Sequence, residues 1–176
     1  DLKHVFMLGM TFLRSSSLFF GAQKTNDPAL AYMRAQNLEL TRSIAADYYY
    51  EPVHAKAMEL YSKVIVQAFD RGNGLNDRDE FLLRMAIILY QIGKYVNLLG
   101  SSMQAWNMVR GTDIFGISDR EKDIVACIVY YDHKGIPNDD DEPFRILSDE
   151  SKMTALKLIA LFRLVRAMVM SRKQKL

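Results

Sequence analysis

The sequence predicts an all-α protein, and three observations carry that expectation. No segment alternates apolar and polar residues as a half-buried strand does. Residues 76–98, NDRDEFLLRMAIILYQIGKYVNL, place Phe81, Leu82, Met85, Ile88, Leu89, Ile92 and Val96 at helical spacing, with Leu83, Ile87 and Tyr90 as a second apolar face. Helix start signals recur at Asn26-Asp27-Pro28, at Glu51-Pro52, at Asn76 and at Ser118. A helix apolar on two faces needs partners on both, so residues 76–98 are expected to be the central helix of a bundle of about seven.

Taken in order, residues 2–22 are apolar and read as helical, interrupted by Gly9 and Ser15 to Ser17. The helix begun at Pro28 carries the stripe Leu30, Met33, Asn37, Leu40, Ile44 and Tyr48. The next, from Pro52, lines up Val53, Ala57, Leu60, Val64 and Ala68. Gly72-Asn73-Gly74 makes a turn. Asn76 caps the central helix, and Asp77, Asp79 and Glu80 place negative charge at the end of the helix dipole that favours it. Gly93 costs about 1 kcal/mol in a helix interior, so close packing or a bend is expected there. Ser101 to Val109 is a short helix and residues 111–117 a connection. Ser118 and Glu121 stand at capping-box spacing ahead of an apolar helix. Residues 133–149 read as a loop, and 149–172 as a last helix burying Leu158, Leu161, Phe162, Val165, Met168 and Val169.

The 176 residues suffice for one helical domain with a core. A net charge of +2 gives no argument for nucleic acid. The lone Cys127 excludes an internal disulfide and reads as a buried thiol in a reducing, cytoplasmic setting. No apolar run reaches membrane-spanning length, Arg14 breaking the only N-terminal candidate. A start at Asp1 without a signal-peptide pattern is expected of a processed protein or of an excised domain.

Few residues suggest chemistry by themselves. His4, His54 and His133 are scattered, with no nucleophile motif beside them. The run Asp139 to Glu142 lacks the glycine and the closing glutamate of a calcium loop, and reads as a solvated connection. Arg163, Arg166, Arg172, Lys173 and Lys175 gather near the C-terminus. Arg163, Arg166 and Lys173 flank the apolar stripe. They read either as dipole compensation at a helix end or as a bidentate phosphate grip.

The run Ala86 to Tyr95, AIILYQIGKY, resembles the A-x-x-L-H-D-I-G-K segment of HD-domain phosphohydrolases. Its neighbours RSIAADYYYEPVHAKAMELYSKVIVQAFD, AWNMVRGTDIFGISDREKDIVACIVYYDHKG and KLIALFRLVRAMVMSRKQK follow in a specific order. Together they are similar to the C-terminal helical domain of the Ppx/GppA exopolyphosphatase and guanosine pentaphosphatase family, over residues 35–176. Residues 1–34 form an N-terminal segment, apolar enough to pack on other lobes or on a partner.

The resemblance implies an HD-like bundle with a degenerate metal site. Of the positions that hold metal in a working HD domain, only the first histidine is kept, as His54. The others fall at Tyr90, Gln91, Gln104, Asp132, Arg166 and Val169, with His133 one residue out of place. Such a set is expected to hold no metal, since divalent ions need oxygen and imidazole donors. No cofactor is therefore expected, and no hydrolysis in this domain. In the family, exopolyphosphate hydrolysis belongs to N-terminal actin-like lobes, while the helical domain supports a dimer and extends a basic channel for polyphosphate. Arg163, Arg166, Arg172 and Lys173 become candidate phosphate ligands by that resemblance, with Lys63, Arg84 and Lys94 as additions. Two alternatives stand beside it: a divergent HD phosphohydrolase acting on a nucleotide or phosphoester, and a purely structural dimerisation module.

Overall fold

The computed structural model describes residues 28–69, 75–96 and 100–173, apart from the side chains of residues 171–173. The described residues form seven α-helices and one 3-10 turn, with no strand. These are α1 (Pro28–Ala46), α2 (Pro52–Phe69), α3 (Asp77–Leu89), a 3-10 turn (Ile92–Tyr95), α4 (Ser101–Gly111), α5 (Asp119–Tyr130), α6 (Glu142–Arg145) and α7 (Asp149–Lys173). The expected helix over residues 2–22 and the turn at Gly72 to Gly74 lie outside the described residues. α1 runs unbroken across residues 34 and 35, where the sequence reading divided the chain.

α3 is the axis of the bundle, packed by α1, α2, α5 and α7. Leu82, Leu83, Met85, Ala86, Ile87, Ile88 and Leu89 are all buried, so both of its apolar faces are covered. Burying such side chains stabilises by about 1.5–3 kcal/mol each, which makes this helix the largest single source of core stability. The predicted capping box at Ser118 forms, and the predicted cap Asn76 makes a second one with Asp79. Asn76 Oδ1 accepts from the Arg78 and Asp79 amides at 2.8 and 2.9 Å, and Asp79 Oδ2 accepts from the Asn76 amide at 3.0 Å. At α5, Ser118 Oγ accepts from the Glu121 amide at 3.3 Å and Glu121 Oε2 from the Ser118 amide at 2.8 Å.

The central helix is shorter than its 76–98 pattern. It ends at Leu89, Tyr90 and Gln91 turn, and the chain tightens into the 3-10 turn; Val96 is 56% exposed. Gly93, within that turn, is closely packed. A Cβ there would lie 2.0 Å from the Ser101 carbonyl oxygen and 2.6 Å from the Ala105 nitrogen, so α4 can approach only a glycine.

Other expected faces are corrected too. In α1 the buried residues are Leu38, Thr41 and Ala45, while Met33, Leu40 and Tyr48 are exposed. In α2 they are His54, Ala55, Met58, Glu59, Ser62, Ile65 and Val66, leaving Val53, Leu60 and Val64 outside. Three polar groups on these inward faces meet partners directly. Thr41 Oγ1 donates to the Asn37 carbonyl at 2.7 Å, Ser62 Oγ to the Glu59 carbonyl at 2.8 Å, and Glu59 meets two arginines. The loop 133–149 contains the one-turn α6, begun by Pro143 in its first turn. The stripe of α7 is buried at every expected position except Met168. No helix among the described residues is long and apolar enough to cross a membrane.

Candidate functional site

Several of the positions singled out by the resemblance meet where α3 ends, α5 ends and α7 passes. Asp132 follows the last turn of α5, its amide donating to the Val129 carbonyl at 3.3 Å and its side chain 7% exposed. Arg166 of α7 reaches it directly, Nη1 to Oδ1 at 3.0 Å. The His133 ring completes the group, with Nε2 3.0 Å from Asp132 Oδ2 and 2.9 Å from Arg166 Nη2. Burial pushes the Asp132 carboxyl above the ordinary carboxylate range, and Arg166, His133, Lys94 and Arg163 pull it back by charge. One carboxylate thus stands among several cationic side chains.

Beside it lie His54, Tyr90 and Gln91. The His54 ring, in the first turn of α2, is centred 6.2 Å from the Tyr90 ring. Gln91 Nε2 donates to the Tyr90 hydroxyl at 2.7 Å, and the Tyr90 ring meets Phe162 edge-on at 5.4 Å. Burial first, and then the charge of Asp132, hold that hydroxyl protonated far above neutral pH. Val169 is a core residue, and Gln104 is half-buried on α4. The one carboxylate already faces a guanidinium, and the phenol is neutral and bonded to an amide. Cys127 lies deep in α5, where burial pushes its thiol up to about 12.

Arg163 has a different job from the one its own helix end suggested. It donates from Nη2 to the carbonyls of Tyr131, Lys134 and Gly135 at 2.8, 2.6 and 2.7 Å. It therefore compensates the C-terminus of α5 and staples the loop after it, not the end of α7. Lys94 joins this side of the molecule, its Nζ lying 4.9 Å over the Tyr49 ring and its charge felt at Asp132. Arg172 and Lys173 occupy the last turn of α7, where side chains are outside the described set.

Lys63 and Arg84 do not join the cluster. They line a separate cleft of about 700 Å³ between α1 and α2, built around Glu59. Glu59 is 6% exposed and accepts from Arg42 Nη2 through both oxygens, at 2.8 and 2.7 Å. Arg84 of α3 donates to the same carboxylate from Nη2 at 2.9 Å. Sequence reasoning missed Glu59 and Arg42. The signal available was a competing stripe, Ala55, Met58, Ser62, Ile65 and Val66, which turns Glu59 inward with it.

No curated protein matches the chain. The family model of the Ppx/GppA phosphatase, domain III, matches residues 39–176, which covers the capped helices, the Asp132 cluster and all of α7. The chain therefore belongs to the Ppx/GppA phosphatase family, through its domain III.

Proposed function

We propose that this is a noncatalytic, HD-like domain whose metal positions have become a cationic surface for polyphosphate. The observation that carries the reading is the grouping of Lys94, His133, Arg163 and Arg166 around one buried carboxylate. Asp132 neutralises one charge and orients Arg166, and half-buried Lys94 and exposed His133 lie toward solvent. A phosphate chain carries a charge on every unit and suits such a surface, because many weak contacts add along its length. Arg172 and Lys173 stay candidates from the sequence alone, their side chains lying outside the described residues. Hydrolysis in this reading resides in N-terminal actin-like lobes of the parent protein, and a homodimer supplies a longer track.

A titration of the 176-residue chain with fluorescently labelled polyphosphate tests this. Binding should weaken at least tenfold between about 50 and 200 mM salt, as it does for polyanions held by several cations. Lys94→Ala with Arg166→Ala should weaken it further, with circular dichroism unchanged. Absence of binding at low salt by a folded chain overturns the reading. A second arm adds Mn²⁺ and a phosphoester substrate; stoichiometric metal with turnover would favour the divergent phosphohydrolase instead.

A further inference from the structure

The cleft between α1 and α2 has the form of an unfilled helix slot. Both helices pack on α3 and make little direct contact with each other. The Arg42–Glu59–Arg84 ion pairs bridge its floor. Along the open side of α2, Val53, Ala57, Leu60 and Val64 recur at spacings of four, three and four, the seam by which one helix receives another. Val53 is 86%, Leu60 64% and Val64 58% exposed. Lys56 and Lys63 flank that seam, exposed and without an ion-pair partner among the described residues.

Charge selects the occupant. Arg42, Lys56, Lys63 and Arg84 line the cleft against only Glu39 and Glu59, so it carries an excess of positive charge. A second copy of the chain would bring the same excess to the contact. Residues 1–27, with Lys3, Arg14 and Lys24 against Asp1 and Asp27, are cationic as well. A bare polyanion would satisfy the lysines and leave the apolar seam in water. We infer that this cleft docks an acidic amphipathic helix of a partner polypeptide, apolar residues at i, i+3, i+4 and i+7 on the α2 seam and carboxylates on Lys56 and Lys63. The inference is independent of the polyphosphate reading.

The test uses three labelled 18-residue peptides against the whole chain: one with a leucine stripe and glutamate flanks, one with lysine replacing glutamate, and one with serine replacing leucine. The first should bind at least tenfold tighter than either of the others. Lys56→Glu with Lys63→Glu should remove its binding, and so should Leu60→Asp. Shift mapping by NMR should place it on α1 and α2. Several outcomes overturn the inference: no binding of the first peptide, equal binding of the glutamate and lysine forms, or displacement by tripolyphosphate as effective as by the peptide itself. Self-association of the chain that Leu60→Asp abolishes would overturn it too, assigning the face to a second copy.

Discussion

Two buried carboxylates in this molecule are each answered by arginine, yet they are built for different ends. Glu59 is gripped by Arg42 and Arg84, so three helices (α1, α2 and α3) are tied through one charge. Asp132 receives one arginine contact and a histidine, at a helix end that opens to solvent through His133. The first is a structural knot beside a cleft; the second is an oriented cation on a surface. A carboxylate buried among arginines therefore does not by itself mark function, and what each arrangement leaves uncompensated does.

The largest expected effect breaks the knot. Glu59→Gln strands two guanidinium groups, though at 24% and 22% side-chain exposure they keep some water. The loss should be about 3 kcal/mol by urea unfolding, the low end for a broken buried pair. That corresponds to roughly 6–12 °C in melting temperature. A change under about 1 kcal/mol would mean the knot holds nothing together.

Next comes Arg163→Ala. Three carbonyls lose a charged donor, and about 2 kcal/mol should follow, with faster amide exchange in residues 131–136. Because this variant disturbs the loop, it is a poorer probe of ligand binding than Lys94→Ala with Arg166→Ala.

Acid separates a third carboxylate from Asp132. Arg78 grips Glu121 through Nε and Nη2 at 2.6 and 2.7 Å and holds its carboxyl down at about 2. A depressed folded value gives stability present above the unfolded value of about 4.3 and lost as pH falls through it toward 2. Arg78→Met should return Glu121 toward about 4.3 in an NMR titration and flatten that limb. Asp132 has the opposite sign. Raised by burial, it contributes most when protonated, and stability declines as pH rises from about 3.9 through its higher folded value. Asp132→Asn should therefore cost only about 1 kcal/mol at neutral pH, the smallest effect of the series, since Arg166 still reaches His133 and solvent.

The same contrast explains what could be read from the chain alone. α3 was legible because its apolar residues recur on both faces, and the caps at Asn76 and Ser118 because their partners lie three residues away. The inward faces of α1 and α2 are not legible from hydrophobicity alone, because polar residues on them meet partners elsewhere in the chain. Glu59 faces inward only because Arg42 and Arg84, 17 and 25 residues away, meet it there. The Asp132–Arg166 pair spans 34 positions and left no local signal beyond the departure from the motif. Spacing put Arg163 beside Arg166, but only the path of the loop after α5 shows that one caps carbonyls while the other meets a carboxylate.

The central claim is that the Asp132 region, and not the Glu59 region, meets phosphate. Its most direct test is to follow the arginine Nε–Hε and His133 ring signals by NMR while polyphosphate is added to the chain at low salt. The account predicts that Arg166 and His133 move together with saturation, while Arg42 and Arg84 stay still. Movement confined to Arg42 and Arg84, or no movement at Arg166 while polyphosphate binds, would contradict it.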